Sequence, residues 1–288
     1  MANQPISEAD LIINPDGSIY HLNLLPEDIA DTIITVGDPD RVDEVSKYFD
    51  SIEIKKGKRE FITHTGYLGK KRITVISTGI GTDNIDIVFN ELDALANINF
   101  KTRIVNDELK QLDIIRIGTS GSIREDIPVG SILVSTHGLG LDALMDYYES
   151  NQSIEDLYLQ QKIADHLNIS HINPYLNAGS TKLLNQIGEG LFQGITVTAP
   201  GFYSPQGRKV RANNRVDGLI EKLSSFEYQN KKLTNLEMET AGIYALANVF
   251  GHHALSVNAI LAQRKKLEFA KDPQKIVEQM IQLVLERI

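Results

Sequence analysis

Short apolar runs alternate with amphipathic segments along the chain. Apolar residues spaced three and four apart predict helices over 38–49, 85–95 and 273–288, and 236–251 predicts a short extended start that leads into an alanine-rich helix. Strands that alternate with helices in this way predict an α/β sheet covered by helices on both faces. The strands themselves are predicted by six runs rich in Ile, Val and Leu, over 31–37, 71–78, 112–118, 126–136, 194–200 and 253–261.

The composition fits one enzyme-sized globular domain. The chain has 288 residues, and it contains neither an internal repeat nor a linker rich in Pro, Gly or Ser that would divide it. The formal net charge is −9. A protein that binds nucleic acid normally carries the opposite charge, so a polynucleotide partner is not expected. Local arginines still allow a small anionic substrate.

The absence of cysteine narrows the chemistry further. With no cysteine in the chain, disulfides, thiolate metal sites and a cysteine nucleophile are excluded. The amino terminus is polar and acidic and does not resemble a signal peptide. No apolar run reaches the roughly 20 residues that span a bilayer. We therefore expect a cytoplasmic protein with no membrane partner.

Two glycine-containing segments combine a strand end with an arginine. In residues 37–41 (GDPDR), Gly37 ends a strand, and the following helix directs its N–H groups towards any anion bound there, with Arg41 in its first turn. In residues 116–121 (RIGTSG), Arg116 lies within an apolar strand and precedes Thr119. Both segments suit an oxyanion. A capped helix with a surface arginine, and an arginine in a structural ion pair, remain the alternatives.

Two further segments carry polar groups that suit a nucleoside. In an extended segment Glu237 and Glu239 face the same side, so both carboxylates could bind sugar hydroxyls; the alternative is that Glu239 only complements a helix N-terminus. In residues 202–208, Gln206 offers a donor beside an acceptor, Arg208 offers donors and Phe202 offers a ring face. The alternative is an ordinary exposed loop.

One segment looks like a nicotinamide-cofactor loop. Residues 77–81 (STGIG) supply two glycines, but Asn84 stands where the third glycine of that fingerprint should be. A dehydrogenase is therefore disfavoured. His21, a lone histidine, carries no argument by itself.

Together these segments resemble the nucleoside phosphorylase superfamily, and within it the members that act on uridine. The resemblance runs from about residue 21 to the C-terminus. It implies a single α/β domain over 21–288 with a mixed, barrel-like sheet flanked by helices, and an N-terminal extension over 1–20. The motifs that carry it are GDPDRV (37–42), KREF (58–61), STGIGT (77–82), RIGTSGSI (116–123), FYSPQGR (202–208) and LEMETAG (236–242).

The resemblance also implies three groups of ligand-binding residues. Arg116, Arg208 and Glu239 are expected to act in catalysis. The phosphate ligands it implies are Gly37, Arg41, Arg59, Arg116 and Thr119. The ribose ligands are His21, Glu237, Met238 and Glu239, with His21 and Arg59 reaching the site of a neighbouring subunit. The uracil ligands are Phe202, Gln206 and Arg208.

The implied activity is the reversible phosphorolysis of uridine to uracil and ribose 1-phosphate. Inorganic phosphate is the co-substrate, and neither an organic cofactor nor a catalytic metal is expected. A structural K⁺ is compatible with the retained Glu60 and Ile80, although Asn84 replaces a serine found in some relatives. A homodimer, or a hexamer built from dimers, is expected. The polar stretch 97–111 is longer than in compact bacterial members and is expected at the surface.

Alternatives within and beyond the superfamily stay open. A purine nucleoside phosphorylase or a nucleosidase would share the fold, although residues 260–264 (ILAQR) lack the aspartate expected beside a purine. A non-catalytic nucleoside-binding protein would not need to retain a phosphate site. The sequence leaves uridine, thymidine and deoxyuridine undecided.

Overall fold

The computed structural model describes residues 4–288, which form two compact units. The first unit extends to Ile115 and includes Phe250–His252. The second comprises Arg116–Val249 and His253–Ile288. The first three residues of the predicted N-terminal extension lie outside the described residues. No helix within 4–288 is long and apolar enough to cross a membrane.

The first unit contains a four-stranded mixed sheet and two helices. Strand β1 runs parallel to β4, β4 pairs antiparallel with β3, and β3 pairs antiparallel with β2. Helix α2 buries an apolar face whose spacing follows the sequence pattern. The elements are β1 (Thr32–Val36), α1 (Asp40–Ser46), β2 (Ser51–Lys58), β3 (Phe61–Leu68), β4 (Lys71–Ser77) and α2 (Thr82–Asn97).

The polar stretch after α2 folds back on the N-terminal segment. Strands β5 (Ile98–Asn99) and β6 (Ile104–Val105) form a small antiparallel hairpin. The backbone carbonyl of Arg103 in this hairpin accepts from the N–H of Ile6, and the side-chain Nε of Arg103 donates to the carbonyl of Ile6. Its guanidinium also donates to the carbonyls of Ser7 and Leu11. The N-terminal segment and the excursion are therefore held together by one arginine.

The second unit is built on a closed ring of strands. Strands β12, β10, β8, β13 and β7 pair in that order, and β7 pairs back to β12. The strands are β7 (Asp113–Ser122, of which Arg116 onward belongs here), β8 (Ile132–Gly140), β9 (Tyr175–Ala178), β10 (Phe192–Thr198), β11 (Glu227–Tyr228), β12 (Lys231–Glu237), β13 (His253–Gln263) and β14 (Glu268–Phe269). The helices are α3 (Ile154–Leu167), α4 (Thr181–Ile187), α5 (Leu219–Ser224), α6 (Thr240–Phe250) and α7 (Pro273–Arg287).

Buried polar side chains from the ring strands are joined by hydrogen bonds. Each of the strands β7, β8, β10, β12 and β13 contributes at least one polar side chain that is fully or almost fully buried. Buried polar groups cost free energy unless they are hydrogen-bonded, and these groups bond to one another from strand to strand. Apolar residues of β10 and β12 pack with α3 and α5. The linked side chains are Arg116, Ser120, Ser135, Thr196, Asn235, Ser256 and Asn258.

The predicted fold class is confirmed: the molecule is α/β, with a mixed, barrel-like sheet flanked by helices. Each of the six predicted strand segments overlaps an observed strand, and each of the four predicted helical segments overlaps a helix. Helix α1 is shorter than predicted, since it ends at Ser46. The hairpin of β2 and β3, and helices α3 to α5, were not predicted. The boundary of the predicted domain at residue 21 stays a prediction.

Candidate active site

A buried arginine meets two carboxylates and an amide in the second unit. Arg116 is only 5% exposed. Its Nη2 donates to Oε2 of Glu239 over 2.6 Å and lies 3.1 Å from Oε2 of Glu237. Its Nη1 donates to Oδ1 of Asn258 over 3.1 Å. Side chains from the end of β12, from the residue just before α6 and from β13 therefore converge on a guanidinium carried by β7.

The charge balance of this cluster keeps Arg116 ionised. Burial alone would lower the pKa of Arg116, because it removes water from the cation. The carboxylates of Glu237 and Glu239 outweigh that effect, so the pKa is raised above its ordinary value. Removing one partner of such a buried ion pair strongly destabilises the protein, because the remaining charge stays buried and uncompensated.

The two glutamates predicted to face one side do so, but they differ in their other contacts. Glu237 accepts from the Thr198 hydroxyl and from the backbone N–H groups of Glu239 and Thr240. It therefore complements the N-terminus of α6, the role that sequence reasoning had considered for Glu239. Glu237 therefore contacts both the helix N-terminus and Arg116, whereas Glu239 makes the shorter contact with Arg116.

Gly118 makes room for the arginine. Residues two apart on a strand share a face, so Gly118 lies under the Arg116 side chain on β7. A β-carbon at Gly118 would lie 1.7 Å from Nη1 of Arg116. The guanidinium is buried and bonded on several sides, so it cannot move aside freely. Any side chain at residue 118 must displace Arg116.

The resemblance implies that Arg116 binds phosphate, so we expect Gly118→Ala to lower kcat/KM for phosphate by at least about tenfold, which corresponds to about 1.4 kcal/mol. The measurement is steady-state kinetics with phosphate varied at saturating nucleoside. Gly190→Ala is the control for a glycine substitution that lowers stability without touching Arg116, because its φ of 72° strains alanine while a β-carbon there meets nothing within 4 Å. Normal phosphate kinetics in Gly118→Ala would show that the position of Arg116 does not matter.

The predicted base-binding residues lie together in one loop. Arg208 Nη1 donates to Oε1 of Gln206 over 2.5 Å and to the carbonyl of Phe202 over 2.7 Å. The Arg208 guanidinium carbon lies 3.8 Å from the centroid of the Phe202 ring. Gln206 is buried, whereas Phe202 is half-exposed. The Arg208 guanidinium thus packs over the ring of Phe202, a contact that the sequence did not predict.

A second arginine lies beside this loop. Arg264, just past β13, packs over Gly121, where a β-carbon would contact its Cγ at 3.4 Å. Burial, and then the charge of Arg264, lower the pKa of Arg208 to about 10, so Arg208 is still protonated at neutral pH. Burial also lowers the pKa of Arg264. Within residues 4–288, the buried Nη1 of Arg264 meets no hydrogen-bond acceptor.

The first unit carries the other predicted residues. Gly37 follows β1, and Asp38 accepts from the N–H of Asp40 at the start of α1. Arg41 lies in that first turn with its Nε 3.8 Å from Glu44. Arg59 is exposed at the tip of the β2–β3 hairpin with a φ of 58°, a left-handed value that suits a two-residue hairpin turn.

His21 is held by a carboxylate of α2. Its Nδ1 lies 2.7 Å from Oε1 of Glu91, and Glu91 also accepts from the backbone N–H groups of His21 and Leu22. This contact fixes the ring and directs Nε2 away from Glu91. In the second unit, Thr119 and Met238 are both partly exposed, as a ligand contact requires.

Three functional neighbours were missed from the sequence: Glu91, Asn258 and Arg264. Glu91 and Asn258 contact their partners across separations of 70 and 142 residues, and no local pattern marks either one. Arg264 carried a signal, because a charged residue stands three positions after the predicted apolar strand 253–261. That signal indicated only that residues 260–264 lack the aspartate expected beside a purine.

Comparison with known proteins identifies the family. The model of the phosphorylase superfamily matches residues 31–288. A uridine phosphorylase of Thermococcus kodakarensis is 28% identical over 269 residues, which cover 90% of this chain and 83% of that protein. A DeoD-type purine nucleoside phosphorylase of Buchnera aphidicola is 26% identical over 274 residues, which cover 94% and 99%.

A solved structure agrees with these relatives. A Trypanosoma brucei nucleoside phosphorylase, described as showing uridine phosphorylase activity, superimposes with a TM-score of 0.89 at 30% identity and covers 96% of this chain and 99% of its own. The family match extends over most of the chain and includes the strands that carry Arg116, Glu237 and Asn258. The chain therefore belongs to the phosphorylase superfamily.

Proposed function

We propose that this protein is a uridine phosphorylase, which converts uridine and inorganic phosphate reversibly to uracil and ribose 1-phosphate in pyrimidine salvage. The observation that carries the proposal is the pair Arg208 and Arg264 beside Gln206. Two neighbouring cations, one with a buried donor that lacks an acceptor in the described chain, favour a ligand with carbonyl oxygens and negative charge. Uracil becomes such a ligand as it leaves the sugar.

The reaction exchanges one bond at the anomeric carbon for another. A phosphate oxygen bonds to that carbon while the bond to N1 of uracil breaks, and the bonding electron pair leaves with the base. The base takes up a proton, and the phosphate ester releases one to solvent. The sugar passes through an oxocarbenium-like state, as in glycoside hydrolysis.

The second unit supplies groups for each partner in this reaction. Arg116 and Thr119 bind phosphate and hold it in line, which is a proximity effect. Glu239 accepts from the ribose hydroxyls beside Met238. Glu237 already accepts from Thr198 and two backbone N–H groups, so it supports Glu239. Gly37 and Arg41 remain predicted phosphate ligands.

Gln206 and Arg208 recognise the base. The carboxamide of Gln206 can accept from N3–H of uracil and donate to a neighbouring carbonyl. Arg208, held on the Phe202 ring, donates to the other carbonyl and stabilises the charge that develops there. Arg264 replaces the acid expected beside a purine, so the charge of this pocket favours a pyrimidine.

Neighbouring subunits complete the site in this proposal. Arg59 projects from a hairpin tip and His21 is oriented by Glu91, so both suit a role across a subunit contact. The assembly is a homodimer or a hexamer of dimers. We further propose a cytoplasmic enzyme that requires no organic cofactor.

The proposal is tested by a phosphate-dependence assay on a nucleoside panel. Uridine, deoxyuridine, thymidine, inosine and adenosine are incubated with and without phosphate, and free base and ribose 1-phosphate are measured. Phosphate-dependent release of uracil is expected, with inosine and adenosine much slower. Base release without phosphate would indicate a nucleosidase, faster inosine cleavage a purine enzyme, and binding without turnover a nucleoside-binding protein.

A further inference from the structure

Asn258 lies behind the Arg116 guanidinium, on β13. It is fully buried, and its amide forms hydrogen bonds with three other buried side chains. Its Oδ1 accepts from Nη1 of Arg116 over 3.1 Å. Its Nδ2 lies 3.2 Å from the hydroxyl oxygens of both Ser135 and Ser256. The amide therefore links the arginine to the polar interior of the strand ring.

The hydrogen bonds beyond Ser135 fix which way the Asn258 amide points. The Thr196 hydroxyl donates to Oδ1 of Asn235 over 2.9 Å. Thr196 has a single hydroxyl hydrogen, so Ser135, 2.5 Å away, must donate to Thr196. Ser135 then has only acceptor capacity left for Asn258, which must present Nδ2. The oxygen of Asn258 is thereby left to face Arg116.

The amide orients Arg116 without adding charge. Glu237 and Glu239 already place two carboxylates on Nη2. A third carboxylate on Nη1 would hold the guanidinium equally well, but it would weaken the attraction for a phosphate dianion. A neutral acceptor fixes the plane of the Arg116 guanidinium and preserves its charge. Both the plane and the charge matter, because an arginine binds phosphate by geometry as well as by charge.

We infer that Asn258 is a positioning residue, which sets the Arg116 guanidinium in the plane that binds phosphate. The inference rests on the proposed phosphorolysis and extends it to a residue that contacts no substrate. Asn258 acts only through Arg116, so it governs phosphate and leaves the base loop unaffected.

The test is Asn258→Ala, assayed with phosphate and uridine varied separately, below the melting temperature of the variant. We expect the KM for phosphate to rise at least about tenfold and kcat to fall, because the fork loses its orientation. The KM for uridine should change by less than about threefold, since Gln206 and Arg208 are untouched. A residue with a purely structural role would lower the melting temperature and leave this split absent.

The matched control is Asn97→Ala at the end of α2. Asn97 is also a buried asparagine with three hydrogen bonds, to Asp93 and to both backbone groups of Lys110. It should lose stability like Asn258→Ala and keep its phosphate kinetics. If both variants lose melting temperature equally and neither changes the KM for phosphate, the inference is wrong.

Asn258→Asp provides a second kinetic test if Asn258→Ala does not fold. It keeps the acceptor and the volume and adds the third carboxylate, so phosphate KM should rise while kcat falls less than in the alanine variant. An unchanged phosphate KM in Asn258→Asp would overturn the inference. Failure of the proposed function is distinguishable, because the wild-type protein would then show no phosphate-dependent release of uracil.

Discussion

Replacing Arg116 with alanine should abolish phosphorolysis and lower the free energy of unfolding. The substitution leaves Glu237 and Glu239 buried without their cation, a change that typically costs about 3–5 kcal/mol of stability. It also removes the guanidinium that holds phosphate in the proposed mechanism. Chemical denaturation measures the first effect, and uracil release at saturating phosphate measures the second.

Arg116→Lys separates the two effects. A lysine restores a positive charge near the carboxylates but has no planar fork. We expect most of the stability to return while activity stays low. Recovery of activity along with stability would mean that charge alone, and not the geometry of the guanidinium, serves the reaction.

Arg116→Ala also tests the proposed exchange of residues between subunits. Arg59→Ala should also be inactive, because its hairpin serves a neighbouring site. When Arg116→Ala and Arg59→Ala chains are co-assembled, each hybrid dimer contains one intact site, so activity should return. Hybrid dimers that form and remain inactive would show that each site is built from one chain.

Replacing Arg208 with alanine should lower kcat by about a hundredfold or more, the usual cost of one preorganised donor, about 2.7–4 kcal/mol. In the proposed mechanism Arg208 faces the base as the base gains negative charge, so its loss should raise the barrier more than it weakens binding. Single-turnover release of uracil measures the chemical step. Arg215→Ala, an exposed arginine in the following segment, is the control and should be close to wild type.

A better leaving group sharpens this test. In 5-fluorouridine the departing base is more acidic and needs less stabilisation. The penalty of Arg208→Ala should therefore shrink with 5-fluorouridine. An equal penalty for both nucleosides would place the role of Arg208 in binding or folding, away from the charge on the base.

Most of the fold could be predicted because its strands and helices carry strong apolar patterns. The six predicted strands include β7, β10 and β13, which form part of the closed ring. The β2–β3 hairpin was missed because β2 is largely exposed and polar, from Ser51 to Lys58. Its two-residue turn at Arg59 and Glu60 lacks the Asn-Gly or Asp-Gly signal of such hairpins.

The candidate site could be predicted only as separate motifs. Spacing placed Glu237 and Glu239 on one side, but it could not show that Glu237 caps α6 while Glu239 holds Arg116. Composition could not show that Phe202 supports Arg208. Both are questions of which partner each group finds in three dimensions, and local sequence carries no information on that choice.

The polar interior of the strand ring has a further property: one series of its hydrogen bonds runs in a single direction. Each member accepts from the residue before it and donates to the one after, in the order Arg116, Asn258, Ser135, Thr196, Asn235 and Ser120. Aligned bonds polarise one another, by about 10–30% per bond. The charge of the buried arginine is therefore felt at Ser120, which neighbours Thr119, and substitutions along this series should couple and should not act independently.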